Sequence, residues 1–595
     1  CSGTPHTSFE HGRGRDGADG SPFCLGAGRG RGLGPPTGRS SREVFMLYAS
    51  PLQHEPIDFR SEAEMLHQVF TEAESDVQVK VGVATAGSLT KLLSLARSRK
   101  GLVLHLSAHA VRHHEKGVGL VLEDASGGPH FVWRQRLEDL LSVGEGLSNI
   151  SLLVLSTCYS EEVAQVFVEC GCRHVVYTRE KVHDASARRF AQQFYYELAM
   201  AGSLMTAWEA SMQALLLDPD HKVSSEANCF MLYGQVGSER ATLDTLCGAE
   251  GGSRGGLGII FADASAYMDM QLPTRPENFV GREPLIHAIC RALHGPSARR
   301  AFVVHGPAGV GKSALALEFV HFATAPGRLF SCAPIILRLT SLAGFDEVIA
   351  GIEEQLEGLA RQLGVLLRPS SAGSRLSDQD SSRSDNGSGT VNLCDISEAS
   401  DLLSTQVLAR SRIRRGFQQI ERRRPTAKTL FIVDDAAGVV GASQNMRWLL
   451  GDLVEHTRHL HFLILSREPI YTDLGTTKMV NEPLGGLNET DAAKLFLQRI
   501  HRQLEARDLE HQEVISTATG RSPFERVLGQ LRGHPLLKRL NGHPGHICAV
   551  SSSVVPGGPS LYELAAQADL LEPPPAPCHL PRQRSMPPPD CQGEA

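Results

Sequence analysis

Eight residues, Gly306, Pro307, Ala308, Gly309, Val310, Gly311, Lys312 and Ser313, stand between an apolar run, AFVVH, and a helix-like stretch, ALALEFVHFA. Glycines at this spacing free backbone N–H groups, and the helix start adds its own, forming a nest for phosphate oxygens. Lys312 is placed to neutralise β/γ-phosphate charge and the Ser313 hydroxyl to ligate Mg²⁺. Further on, KTLFIVDDAAG ends a buried apolar run on Asp434 and Asp435. A carboxylate there, Asp434, can hold the magnesium while the second polarises the attacking water. Arg467 follows another such run, LHFLILS, where a cation can reach a γ-phosphate. The first half of the chain carries a different chemistry. GLVLHLSAHA leads to His109, and NISLLVLSTCYS leads to Cys158, 49 residues later. Both lie at the carboxyl ends of apolar runs, where α/β sheets place their sites. A thiol needs a neighbouring imidazole or helix dipole to ionise near neutral pH, and the helical SEEVAQVFVECG after Cys158 offers the dipole.

The elements that must position these residues alternate in type. EVFMLYAS, VQVKVGVA, GLVLHLSAHA, NISLLVLSTC and RHVVYTRE read as strands; SEAEMLHQVFTEAE, SLTKLLSLARS and ASARRFAQQFYYELAMAG read as helices between or after them. Strand–helix alternation predicts an α/β domain with a largely parallel sheet over residues 42–216, with GVGLVLEDA and GGPHFVW as a hairpin beside it. Residues 217–271 read as a connector, and a second α/β domain runs from 272 to 554, interrupted by a Ser/Asp/Gly-rich insertion at 370–390. The Gly/Arg-rich start at 1–41 and the Pro-rich end at 555–595 read as disordered tails.

Composition excludes little else. The 595 residues are 41% hydrophobic and 21% charged, with net charge −7, which gives no electrostatic case for nucleic acid. Apolar runs are of strand length, too short for a membrane span. The 13 cysteines are scattered, with one CxC at Cys170 and Cys172, so a reducing, cytoplasmic setting is expected. HLSAH lacks a third ligand at metal-binding spacing, so His105 reads as a packing residue. The chain opens on Cys1 instead of Met, and a fragment is expected.

The strings NFVGRE (Asn278–Glu283), GPAGVGKS, LFIVDD, FLILSRE and GGLNETDAAKLF resemble, in order, the landmarks of STAND-class ATPases, in particular the NB-ARC type of apoptotic and plant immune switches. The resemblance spans about Leu272 to Val554 and implies ATP/ADP with Mg²⁺ as cofactors and nucleotide-dependent self-association. It places Val280 and Arg282 near the adenine, with a GxP proline touching the base. Pro535 in GHPLL and Pro544 in NGHPGHI both fit; Pro544 is favoured because the helical HICAVSSSV follows it. The winged helix and repeats usual in that family are not visible before the Pro-rich end, and no guanine-reading NKxD string occurs.

In the first domain, the His-then-Cys order at about 50 residues matches the caspase-like arrangement. LHLSAHA, GLVLEDASGG, LLVLSTCYSEEVAQVFVECGCRHVV and VHDASARRFAQQFYYELAMAGS resemble a CHAT domain of the caspase-like peptidase clan, over about Arg42 to Leu216. The resemblance implies Cys158 as nucleophile, His109 as base, a protein or peptide substrate, and an oxyanion hole from backbone N–H groups near both. Ala110 stands where the family usually has glycine, and Thr157 where alanine is more typical. Glu180 and Asp184, just beyond a strand end, either receive a basic P1 side chain or cap the next helix. The whole reads as an intracellular signalling protein coupling a nucleotide switch to a cysteine endopeptidase. The alternative is a nucleotide-dependent scaffold with a silent caspase-like domain.

Overall fold

The structure, a computed structural model, describes residues 42–99, 101–142, 145–157, 160–234, 240–247, 261–294, 300–338, 345–367, 394–434, 444–470, 479–509 and 523–567. The N-terminal tail, the insertion at 370–390 and residues 568–595 lie outside the described residues, as do Cys158 and Asp435.

Strands β1 (Glu43–Tyr48), β2 (Gln78–Val83), β3 (Leu102–Ser107), β7 (Ile150–Ser156) and β8 (His174–Thr178) form the parallel core of the first sheet. Its strand order is β10-β2-β1-β3-β7-β8-β9, with β9 (Phe230–Gly234) and β10 (Ala262–Asp263) at the two edges. Both faces are covered, which is why these strands read as unbroken apolar runs. Val44, Met46 and Tyr48 point to one side, against Leu66, Phe70, Phe190 and Phe194 of helices Phe59–Glu72 and Asp184–Ala199. Phe45 and Leu47 point to the other, against Leu92 and Phe167 of helices Ala86–Ser98 and Ser160–Glu169. The period of two assigns each side chain its layer.

Two sequence expectations change here. The edge strands β9 (Phe230–Gly234) and β10 (Ala262–Asp263) pair antiparallel with β8 and β2, so the stretch 217–271 completes the first sheet instead of merely connecting domains. Strands of five and two residues are too short to show a period. Second, GLVLHLSAHA is two strands: β3 ends at Ser107, and β4 (His109–His113) joins β5 (Gly117–Glu123) and β6 (Pro129–Trp133) in a separate antiparallel sheet. The expected hairpin is β5–β6.

The second domain holds a parallel sheet ordered β12-β13-β14-β11-β15, from β11 (Ala301–His305), β12 (Ile335–Arg338), β13 (Thr429–Asp434), β14 (Leu460–Ser466) and β15 (Val480–Pro483). Ala301 and Val303 face Ile352, Phe417 and Leu450 on one side. Phe302 and Val304 face Ile289, Leu315 and Phe319 on the other. Behind this sheet comes a small helical group, Glu489–Arg499, Pro523–Gly533, Pro535–Arg539, Pro544–Ser551 and Leu561–Gln567, packed around Phe496, Leu536, Ile547 and Leu561. Its last helix lies past Val554, so the ordered domain reaches into the expected tail; seven residues are below the length at which helical periodicity is legible. All these elements belong to one unit that begins at Ser41. No helix among the described residues is long and apolar enough to cross a membrane.

Candidate peptidase and nucleotide sites

The P-loop follows β11 directly. Gly306 N donates to Ser466 O at 3.1 Å, tying the loop to β14. A Cβ on Gly306 would stand 2.5 Å from Leu484 O, so no larger residue fits there. Gly309 has φ +75°, a left-handed conformation that glycine adopts without strain. Val310 is buried in the apolar layer beneath, and helix Lys312–Ala323 starts after Gly311. Pro307 and Ala308 form the loop's outer rim, and Ser313 is exposed on the first turn. The Lys312 ammonium donates to Gly306 O at 2.8 Å and Pro307 O at 2.9 Å, folding back across its own loop.

The other predicted nucleotide residues gather at the same sheet edge. β14 pairs with β11, so Arg467, just past Ser466, leaves the strand beside the P-loop strand. Asp434 ends β13, one strand further away, and is half-buried. The Arg282 guanidinium donates to Gly485 O at 2.7 Å and Gly486 O at 3.3 Å, and burial draws its pKa below the ordinary value. Val280 packs against the small helical group. Of the two prolines, Pro544 is the one that lies against the P-loop: the Cβ position of Gly311 is 3.9 Å from Pro544 Cγ. Its neighbours latch to the loop, Gly545 N donating to Gly309 O at 3.1 Å and His543 Nε2 to Ala308 O at 3.0 Å. Pro535 instead begins helix Pro535–Arg539 within the small helical group. Sequence reasoning passed over His543, the middle residue of the GHP step; burial and its neighbour His546 lower its pKa, keeping it neutral.

In the first domain, the β3–β7 register pairs Ser107 with Ser156, two residues before His109 and Cys158 respectively. Both chain segments therefore leave the sheet side by side. His109 Nε2 lies 2.6 Å from Glu55 O. A carbonyl can only accept, so Nε2 carries the proton and the neutral ring keeps its lone pair on Nδ1. The described residues flanking Cys158 are fixed. Thr157 is buried, Thr178 Oγ1 donates to Thr157 O at 3.1 Å, and Thr178 N donates to Ser160 Oγ at 2.7 Å where the next helix starts.

A cavity of about 100 Å³ opens beside His109. Its walls are apolar, with Val154, Val176 and Phe190 among them, and it is lined by three carboxylates, Asp58, Glu62 and Asp184, against one guanidinium, Arg188. Glu62 is buried 2.9 Å from His105 Nε2, and His105 Nδ1 meets Tyr195 OH at 3.3 Å. Burial opposes ionisation of Glu62, but the attraction and hydrogen bond of His105, with hydrogen bonds from Ser107 and Ser156, hold its carboxyl below the usual range. His105 is thus engaged away from His109. Asp184 lines the cavity, whereas Glu180 is exposed and is not among its lining residues. Sequence reasoning missed Glu62 and Glu55; the second acts through its main chain, which no residue type announces. It also missed His54, whose ring sits 6.0 Å from that of His109 and whose pKa is lowered by burial and by that neighbour.

The two folds and their sites define a class: a caspase-like α/β domain joined to a P-loop ATPase domain. Comparison gives each half its family. Residues 47–244 match the CHAT domain and residues 278–465 match the AAA ATPase domain, so the chain carries a CHAT domain followed by an AAA-type ATPase domain. An AAA ATPase domain is a nucleotide-binding module, typically with Mg²⁺. No curated protein matches the sequence. Among solved structures, the chain is similar to C. elegans PCH-2, with 12% identity over 50% of this chain and 73% of that one, TM-score 0.26. It is also similar to the Drosophila initiator caspase Dronc, with 14% identity over 35% of this chain and 85% of that one, TM-score 0.26.

Proposed function

We propose that this chain couples an ATP/ADP-operated switch of the STAND/NB-ARC type to a cysteine endopeptidase, within a cytoplasmic signalling pathway. The observation that carries the peptidase half is the 2.6 Å contact of His109 Nε2 with Glu55 O, which leaves Nδ1 as the basic nitrogen at the edge where β7 leads to Cys158. Nδ1 takes the proton from the Cys158 thiol, and the thiolate adds to the scissile carbonyl carbon. Backbone N–H groups near His109 and Cys158 hold the oxyanion. His109 returns the proton to the amide nitrogen as the C–N bond breaks, and the amine leaves. Water then attacks the thioester, giving a proton to Nδ1; the C–S bond breaks, the acid leaves, and Nδ1 returns the proton to the Cys158 sulfur. The Glu55 carbonyl keeps Nε2–H engaged and the ring in one orientation at each stage. The cavity beside His109 receives the P1 side chain; with Asp58 paired to Arg188 and Glu62 to His105, Asp184 is the carboxylate that favours a basic one, with an apolar stem against Val176 and Phe190.

In the second half, Lys312 exchanges its two loop carbonyls for β/γ-phosphate oxygens. The hard oxygen donors fit Mg²⁺: the exposed Ser313 hydroxyl and the carboxylate Asp434, with Asp435 beside it. Magnesium there would neutralise phosphate charge. Arg467 reaches the γ-phosphate, and Val280, Arg282 and Pro544 border the base. Nucleotide exchange shifts the small helical group through the His543–Gly545 latch, and self-association follows. Such coupling needs ATP and ADP to favour different arrangements.

Ala110 favours a second reading, a nucleotide-dependent scaffold without cleavage, because a side chain follows the base where the family usually has glycine. One experiment separates them: a peptide library, with Arg, Lys, Asp and Leu at P1, incubated with wild-type and Cys158→Ala protein, with and without ATP. Cleavage after basic residues that the substitution abolishes supports the peptidase. Its absence throughout, or its persistence in Cys158→Ala, supports the scaffold.

A further inference from the structure

Arg328 lies in the loop that follows the P-loop helix, yet its guanidinium is buried in the first domain's territory. Nη2 donates to Glu123 Oε1 at 2.6 Å and to Ser50 O at 3.1 Å, and Nη1 donates to Phe322 O at 3.1 Å. Its plane sits 3.7 Å from the centre of the Phe322 ring. The side chains of Arg328 and Glu123 are 7% and 1% exposed. A buried ion pair seldom stabilises more than an apolar pair of the same volume would, so its presence asks for a reason beyond stability.

The contacts of Ser50 supply one. Glu123 Oε1 also accepts from Ser50 N at 2.7 Å, so both main-chain polar groups of Ser50 end on this ion pair. The Ser50 hydroxyl then accepts from Ile57 N at 3.0 Å, closing the loop between β1 and the first helix. Within that closed loop sits Glu55, whose carbonyl holds His109. Tyr48 OH donates to Pro326 O at 3.1 Å and Leu52 N to Gly127 O at 2.9 Å, bracing the same junction on either side.

We propose that Arg328 and Glu123 are positioning residues for the His109 base: they clamp Ser50, which fixes the loop that presents the Glu55 carbonyl. The end of the P-loop helix is thereby part of the peptidase's support, and a displacement of that helix reaches the imidazole through the ion pair, Ser50 and the loop that carries Glu55. The inference rests on the reading of His109 as the base, and its test includes a measurement independent of cleavage.

That test compares wild type, Arg328→Lys, and the double variant Glu123→Gln/Arg328→Met, which removes both buried charges together and so avoids leaving one unpaired. Peptide hydrolysis is followed against pH, nucleotide binding by calorimetry, melting by circular dichroism, and the His109 tautomer by NMR of ¹⁵N-histidine protein, with His109→Gln for assignment. In the double variant we expect kcat to fall about tenfold with KM unchanged, since a displaced base costs rate and not binding. The acidic limb of the pH profile shifts, and the single Nε2–H tautomer gives way to a mixture. Arg328→Lys should recover part of the rate, and nucleotide affinity should stay as in wild type. A folded double variant with unchanged kcat, pH profile and tautomer overturns the proposal. If wild type cleaves nothing, the peptidase reading fails alone, and the tautomer still decides whether this ion pair orients His109.

Discussion

The two sites use the same device to opposite ends. In the CHAT domain a backbone carbonyl, Glu55 O, engages the functional imidazole and prepares it, because the bond selects the tautomer that leaves Nδ1 basic. In the ATPase domain two backbone carbonyls, Gly306 O and Pro307 O, engage the functional ammonium and withhold it, because each must be given up before a phosphate is met. On the proposed reading, one site is set before its substrate arrives and the other is set by its ligand. The difference teaches where control belongs in such a chain: on the side whose key cation already has internal partners to exchange.

Ways to break this contrast range from large to small effects. Cys158→Ala should lower cleavage by at least about 1,000-fold while leaving nucleotide binding intact; a parallel loss of both would erase the distinction. Lys312→Ala should weaken nucleotide binding by roughly 10- to 100-fold, the worth of charge-assisted bonds to phosphate, without altering the His109 tautomer. Calorimetry and histidine NMR on the same sample would read both.

Gly306→Ala forces a methyl to within 2.5 Å of Leu484 O. A cost of about 3 kcal/mol to the ATPase domain is expected, visible in urea melts as a midpoint shift. The CHAT domain should keep its own transition.

Acid should sharpen the contrast by the smallest margin. His461 on β14 is buried, and burial first, with nearby Lys428 and Arg300, outweighs the pull of His459 O and lowers its pKa from 6.5 to about 4. The unfolded chain takes up a proton below about 6.5 and the folded one only near 4, so ATPase stability falls across that window, by about 2 kcal/mol at pH 5 and about 3 kcal/mol by its end. Glu62 has the depressed folded pKa of a paired carboxylate, so its contribution is present above the ordinary carboxyl value and is lost only as pH falls through the lower folded one. The ATPase domain should therefore soften first on acidification, and His461→Phe should flatten that limb. Melting curves between pH 7 and 3 that show the CHAT domain failing first would contradict this order.

Much of the ATPase site was legible because its residues are contiguous and framed: an apolar strand, a glycine loop and a helix leave few alternatives for Lys312 and Ser313. His109 and Cys158 were legible in sequence by their order and spacing after apolar runs; the structure pairs Ser107 with Ser156, two residues before each, although His109 itself opens β4 and does not end β3. What escaped reading has physical causes. Glu55 acts through a carbonyl, which every residue carries. Glu123 and Arg328 stand 205 positions apart and look like ordinary surface charges until the fold buries them. Strands β9 and β10 are edges too short to carry a period, and the change of sheet at Ala108 leaves no mark in an apolar run. Asp184 and Glu180 were indistinguishable in sequence because the start of helix Asp184–Ala199 decides the matter: Asp184 opens it and borders the cavity, whereas Glu180 lies in the loop before it.

The change of sheet at Ala108 has a further consequence. The imidazole rides on the small antiparallel sheet, whereas the strand leading to the thiol belongs to the large parallel one, and each sheet is internally hydrogen-bonded. On the proposed reading, a slight slide of one slab over the other would part His109 from the segment leading to Cys158, like a clutch, leaving both slabs whole. Cleavage would then be switched off and on repeatedly without cutting the chain itself.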